Sequence, residues 1–341
     1  MRILVTGGFG FVGSKAVLGL LQKGHHVRVL ELPGHPLQQQ FADFWAAAGP
    51  VDFVPGDVAV YRDVEGAMTG CDRVLHTAAL LNSVASFSRF HRVNALGTAN
   101  ICQASLSAGI ARLVVVSTSD VFGIPEPGQT LDENSPLQPW NEPYADTKIE
   151  AVQTARHYRD QQGLPVTLVY PGWVYGPGDR QFFPAVLDMI RDRHVFTWEK
   201  GNPYEINLTF IDDLVDALLR CLLTHEQNGE YLILDTQTGM TPERLYRTLA
   251  DHIQLPIRVH HLPYSLMMLV AACSQWLARR GFIAKPLLST TDVKAFGNEF
   301  HFSNRHAAEQ LGWRPATPVA EGLRRSLEWQ AKRRENPDLV G

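Results

Sequence analysis

Tyr144 and Lys148 stand four residues apart just after Pro143. The stretch reads as a helix, so the phenol and the ammonium share one face and can reach one pocket. A phenol with an ordinary pKa near ~10 moves protons poorly at neutral pH. A neighbouring ammonium favours its phenolate, which would make the pair a usable proton donor and acceptor. Tyr and Lys at this spacing are common by chance, so the pair gains weight only from what precedes it. Leu113-Val114-Val115-Val116 predicts a fully buried strand that delivers Ser117-Thr118-Ser119 at its carboxyl end. In an open parallel sheet, that end is where ligands bind.

Such a site needs a scaffold, and the first residues supply one. Arg2-Ile3-Leu4-Val5 predicts a buried strand, and Val12, Ala16, Val17, Leu20 and Leu21 recur at helical spacing until Gly24. Between them lies Thr6-Gly7-Gly8-Phe9-Gly10-Phe11-Val12-Gly13. A glycine turn from strand to helix leaves backbone N–H groups at the positive end of the helix dipole, where a pyrophosphate can approach. Gly7, Gly10, Phe11, Val12 and Gly13 are therefore candidate dinucleotide ligands. The stretch satisfies both Gly8-x-Gly10-x-x-Gly13 and Gly7-x-x-Gly10-x-x-Gly13, and the turn alone leaves the register open. Glu31 ends a second strand, His26–Glu31, about 20 residues after the turn, where an acidic residue grips the adenosine ribose hydroxyls. A carboxylate there repels a 2′-phosphate, and Leu32-Pro33-Gly34 offers no cation to attract one, so NAD is expected over NADP.

Further strands are predicted at Val51–Val54, Arg73–His76 and Leu164–Tyr170, with a looser insertion at 35–50 and a long helix from about Phe87 to Ala108. Asp57, in Gly56-Asp57-Val58, could reach an adenine amino group or cap the next helix. Ala78 and Ala79 leave room for a ligand at the end of the fourth strand. At 341 residues the chain can bury a large core. A net charge of −4 gives no electrostatic reason to expect nucleic acid. Cys71, Cys102, Cys221 and Cys273 are scattered, which predicts buried free thiols in a reducing compartment. The 13 histidines show no zinc-ligand spacing, so no metal is expected and they read as surface or structural residues. The chain starts on a strand with no signal-peptide pattern, which predicts a cytoplasmic location.

The whole constellation resembles the extended short-chain dehydrogenase/reductase family, within the NAD-dependent epimerase/dehydratase superfamily. The matching pieces are Thr6–Gly13, Gly56–Val58, His76–Ala79, Asn94–Thr98, Ser117–Gly123, Tyr144–Lys148 and Tyr170–Asp179, all before roughly residue 215. The resemblance implies an α/β fold: a Rossmann-type doubly wound parallel sheet with a smaller, mostly helical substrate domain. The expected division is 1–175 for NAD, its sheet completed by segments around 205–235, and 176–335 mainly for substrate. It further implies Tyr144 as catalytic acid–base, Lys148 as its pKa modulator and ribose ligand, and Thr118 bonded to the reacting oxygen. Pro171-Gly172 and Val174 would border the nicotinamide. These assignments select the Gly7-Gly10-Gly13 register. A homodimer is the family-level expectation.

Three departures narrow the activity. Nucleotide-sugar members usually carry an arginine before the segment Leu208–Asp213, where this chain has Ile206 and Asn207. Dehydratases follow the threonine with an Asp-Glu pair, where this chain has Ser119-Asp120. Tyr170 replaces a commonly seen arginine. Helices are predicted over Phe182–Asp192, Asp212–Leu223 and Pro242–Ile253, and a strand over Glu230–Leu234. Leu266–Cys273 is apolar all round, within the segment 262–280, and is too short for a span of ~20 residues. A buried core helix is its default reading; a lid over the substrate and a membrane-surface or dimer contact are the others. This helix, Lys285-Pro286, Ser303–Ala307, Leu311–Pro315 and Glu321–Leu323 resemble the 3β-hydroxysteroid dehydrogenase branch. The expectation is an oxidoreductase for a bulky, apolar secondary alcohol or ketone, with a nucleotide-sugar 4-epimerase or dehydratase that retains its NAD as the alternative. An NAD-sensing regulator on the same fold is disfavoured by the catalytic tyrosine.

Overall fold

The apolar runs of the first half become strands of one parallel sheet in a computed structural model, which describes residues 1–81, 85–198, 204–223, 228–283, 286 and 288–340. The strands are β1 (Arg2–Thr6), β2 (His26–Glu31), β3 (Val51–Pro55), β4 (Arg73–His76), β5 (Arg112–Val116), β6 (Val166–Pro171) and β7 (Glu230–Ile233). Their order is β7-β6-β5-β4-β1-β2-β3. The chain winds outward from β1 through β2 and β3, then outward the other way from β4. The reversal between β1 and β4 opens a crevice at their carboxyl ends, as in doubly wound sheets. Glu230–Ile233 pairs with β6 and completes the sheet.

In chain order the helices are α1 (Phe11–Gln22), α2 (Gln38–Ala46), α3 (Tyr61–Met68), α4 (87–107), α5 (Pro143–Gln162) and α6 (Phe182–Arg191). They continue as α7 (Ile211–Leu223), α8 (Pro242–His252), α9 (Tyr264–Arg279), α10 (Thr290–Gly297), α11 (Arg305–Gln310) and α12 (Val319–Glu335). Alternation along the strands splits the core in two. Leu4, Val74, Leu113 and Leu168 pack with α3, α4 and α5, whereas Ile3, Val5, Leu75 and Val114 pack with α1, α2 and α7. A third core joins α6 and α8 to Tyr175, Phe210 and Leu323. The chain then returns to the sheet. Ala307, Trp313 and Val340 are buried in the α1–α2–α7 layer, and the Trp313 indole donates to Asp213 O at 2.9 Å.

Tyr170 has a structural account. Its hydroxyl donates to Glu230 at 2.6 Å, and Arg156 and Arg159 grip the same carboxylate. Burial, then the Glu230 charge, pushes the phenol well above its usual range. Burial pushes Glu230 up too, but the bonds from Arg156, Tyr170 and Arg159 outweigh it and hold the carboxyl below its usual range. The residue thus ties β6 to β7 and α5 rather than serving the cleft.

The core-helix reading of 262–280 holds for one side of the helix only. Met267, Ala271, Ser274 and Gln275 are buried, but Leu269 is 61% exposed and Trp276 52% exposed, with Leu266 and Val270 also open to solvent. Four-residue periodicity turns one apolar side inward and leaves the other outside. Cys273 is exposed and Cys71 half-buried, so only Cys102 and Cys221 fit the expected buried thiols. Lys285 lies outside the described residues. No helix among the described residues is long and apolar enough to cross a membrane.

Candidate active site

The glycine turn closes around one carbonyl. Gly7 has φ +70°, and a side chain there would meet the Ala78 backbone at 2.8 Å. Gly10 N–H donates to Gly7 O at 3.0 Å, and a Cβ on Gly13 would stand 2.2 Å from that same oxygen. Gly8 instead lies against the Val29 side chain. The geometry thus unites Gly7, Gly10 and Gly13, the register the turn alone left open. Phe11 and Val12 start α1 directly behind the turn.

Glu31 faces the turn from the end of β2, where its carboxylate accepts from Phe9 N–H (3.2 Å) and Leu32 N–H (3.1 Å). Asp57 accepts from Ala59 N–H at 2.9 Å and from Arg92 at 3.0 Å. Ala78 is held from below by a buried histidine relay, and Ala79 follows it. Ala78 N–H reaches Thr6 Oγ1 at 3.3 Å, Thr6 Oγ1 lies 2.7 Å from His76 Nδ1, and His76 Nε2 lies 3.0 Å from Thr98 Oγ1. Thr98 spends its single proton on Asn94 O at 2.7 Å, so Nε2 must carry the imidazole hydrogen. Asn94 sits in a π-helical turn of α4, His91–Leu96, and its amide clasps both backbone groups of Leu80. Ala78 and Leu80 are therefore fixed from two sides, which the sequence did not announce.

Burial, and next the Lys148 charge, pushes His76 down to about 3. The unfolded imidazole takes a proton near pH ~6.5, while the folded one refuses it until about 3, so acid removes stability as pH falls below ~6.5. Between pH ~6.5 and ~5 this amounts to about 2 kcal/mol. Urea unfolding at neutral pH and near pH ~5 should show His76→Gln losing about that much less than the unsubstituted chain. Equal losses would mean another group dominates.

Thr118 ends β5 with its Oγ1 accepting from Asp120 N–H at 3.3 Å and hydrogen-bonded to the Tyr144 phenol. Lys148 is buried one turn along α5, its Nζ donating to Val116 O at 2.7 Å. Burial pushes the ammonium down to about 8. The phenol departs from expectation. Burial first, and then the Asp120 charge, pushes Tyr144 well above its usual range, while only the Thr118 bond opposes them. Packing round Tyr144 is dense, though its side chain keeps one edge open to the cleft.

Every residue named for cofactor or catalysis borders one continuous cleft of about 1670 Å³, including Pro171, Val174, Val58 and Ala79. Pockets for drug-sized ligands measure ~300–1,000 Å³, so this larger space suits a dinucleotide together with a second molecule. Ser117 Oγ, buried without a partner, borders it. An orphaned hydroxyl, the glycine turn and a carboxylate at the end of β2 together fit an NAD-type dinucleotide.

The far half carries an aromatic wall that sequence reasoning missed. Trp173 packs on Phe296 at 4.5 Å and on Phe182 at 5.2 Å, with Met189, Trp198 and Met267 beside them. From Phe182 to Phe296, no described lining residue is Lys or Arg, whereas Glu142, Asp188 and Asp192 line this half. Arg180 belongs to the opposite end, where it donates to Leu339 O and lies over Trp329. Met267, Val270 and Gln275 of α9 border the same half of the cleft as the wall.

Known proteins agree with this architecture. A 4-hydroxy-2-methyl-3-oxo-4-farnesyl-3,4-dihydroquinoline-1-oxide ketoreductase of Stigmatella aurantiaca is 28% identical, with 95% of each chain covered. A 3-beta-hydroxysteroid dehydrogenase of Mycolicibacterium neoaurum is 27% identical over 96% of this chain and 91% of its own. A dTDP-D-glucose 4,6-dehydratase of Mus musculus is 25% identical over 98% and 90%. In fold, the chain matches a dTDP-glucose 4,6-dehydratase from Streptomyces venezuelae solved with NAD, at TM-score 0.77 and 24% identity, covering 99% of this chain and 100% of that one. Residues 3–233 match the model of the NAD dependent epimerase/dehydratase family, and the chain belongs to that family.

Proposed function

We propose that this enzyme interconverts a secondary alcohol and its ketone on a bulky, largely apolar, steroid-like substrate, using NAD. The observation that carries this reading is the aromatic wall without a Lys or Arg among its described residues. A sugar-nucleotide diphosphate needs cationic partners when it leaves water, and a wall facing Asp188 and Asp192 offers the wrong sign. An apolar ring system gains about 25 cal/mol per Å² buried there. The names of the ketoreductase and steroid dehydrogenase relatives support it. The dehydratase relative keeps a nucleotide-sugar epimerase or dehydratase as the second reading.

Bound NAD supplies or accepts the hydride. Tyr144 moves the matching proton at the substrate oxygen, and Thr118 orients that oxygen through its hydroxyl. Lys148 uses one donor on Val116 O and keeps two for the ribose. Glu31 takes the adenosine ribose hydroxyls, Asp57 the adenine edge, and the turn the pyrophosphate. Residues 1–175 with 205–235 serve the cofactor, and 176–335 mainly the substrate. The exposed face of α9 supports peripheral contact with a membrane surface, which an apolar substrate would favour. A cytoplasmic homodimer completes the proposal.

A screen of apolar alcohols and ketones against nucleotide sugars, with NAD and NADP in parallel, tests both the substrate and Glu31. The expected result is net appearance or loss of NADH absorbance with an apolar substrate and NAD. Turnover of a nucleotide sugar with no net cofactor change would establish the second reading, and preference for NADP would contradict the role of Glu31.

A further inference from the structure

We propose that Glu142 is a positioning residue: its carboxylate latches the α9–α10 unit across the substrate half of the cleft, and substrate passes when this latch opens.

Glu142 lies two residues before Tyr144, at the entry to α5, and borders the cleft although its side chain is only 12% exposed. It does not cap its own helix. Its partners come instead from α10. Thr290 Oγ1 donates to the carboxylate, and Lys294 Nζ stands 3.8 Å away while donating to Trp140 O at 2.8 Å. Thr290 N–H donates to Gln275 Oε1 of α9 at 3.3 Å, and Ser274 Oγ donates to Leu288 O at 2.9 Å. A polar chain thus runs from the start of the Tyr144 helix through α10 to α9.

The unit it fastens has a small core of its own among the described residues. The core of α9 and α10 is small: Trp198, Met267, Ala271 and Val293 are buried, with Leu262, Tyr264, Met268 and Leu288 partly buried around them, and Phe296 joins it to the third core. Beyond it, Phe296 leans on Trp173 and Phe182, which are themselves cleft wall. Elements with few buried contacts open locally before the rest of a fold, and covers over active sites are drawn from that end of the stability range. A charge-assisted bond to a largely buried carboxylate then adds to what keeps the cover shut.

Hydrogen–deuterium exchange on the full NAD-bound protein reads this without any substrate, so it can fail while the dehydrogenase reading stands, and the converse. In Glu142→Ala, peptides across 264–279 and 290–297 should exchange about tenfold faster or more, with the central sheet unchanged. Glu142→Gln still accepts from Thr290 and should fall between. Lys294→Met should repeat the effect if Glu142→Ala fails to fold. With a substrate in hand, KM should rise more than kcat falls. Unchanged exchange in both helices of the folded variants, or acceleration spread evenly over the sheet, would overturn the latch.

Discussion

Replacing Tyr144 by Phe should lower turnover by about 10²–10⁴-fold, the range expected for losing a positioned acid–base group. The ring stays, so the packing that buries it stays. Thr118 keeps its bond from Asp120 N–H after the phenol oxygen is gone, so no buried hydroxyl is orphaned. The adenosine and pyrophosphate contacts proposed for the cofactor lie on the turn and on Glu31, away from this hydroxyl. NAD titration should therefore give a nearly unchanged affinity, and thermal unfolding a nearly unchanged midpoint. The direction of the phenol's shift sharpens the reasoning. Burial and Asp120 hold Tyr144 protonated in the free chain at neutral pH, which suits proton donation to a carbonyl oxygen. Turnover within about tenfold of the unsubstituted enzyme would remove Tyr144 from the acid–base role.

What the sequence disclosed and what it hid follow from range. The turn, the strand ends carrying Glu31, Asp57, Ala78 and Thr118, and the Tyr144–Lys148 face are each set by patterns within about two helical turns, and they meet because parallel strands share a carboxyl end. The phenol shift was misjudged because a spacing of four residues brings two side chains to one face without fixing what each one bonds. Lys148 reaches a backbone carbonyl of β5, 32 residues earlier in the chain. Trp173, Phe182 and Phe296 carry no local signal at all, since only the packing of α6 and α10 joins them. For α9 the composition concealed the register. A helix apolar all round does not say which side faces the protein, and here the inner side is the one with Met267 and Ala271. Tyr170, a family departure with no account in the sequence, is one end of a buried ion network whose other members lie on β7 and α5.

Gly13→Ala should be the most damaging single methyl in the chain. Its Cβ would stand 2.2 Å from Gly7 O and 2.8 Å from Thr77 Oγ1, distances that side chains do not tolerate. Relief cannot come from a flexible side chain, because the nearer obstacle is backbone. That carbonyl also accepts the Gly10 N–H that shapes the turn, so pushing it away dismantles the N–H groups meant for the pyrophosphate. The expected outcome is loss of NAD binding together with a fall of about 1–3 kcal/mol in stability, the usual cost of overpacking. Gly66, inside α3, provides the contrast: a methyl there meets nothing within 4 Å and its φ is ordinary. Gly66→Ala should gain about 0.5–1 kcal/mol by removing backbone freedom from the unfolded chain, with NAD affinity intact. Urea midpoints and NAD titrations on the two variants separate a helix effect from a turn effect. A Gly13→Ala protein that binds NAD as tightly as Gly66→Ala would mean that the cofactor does not rest on this turn.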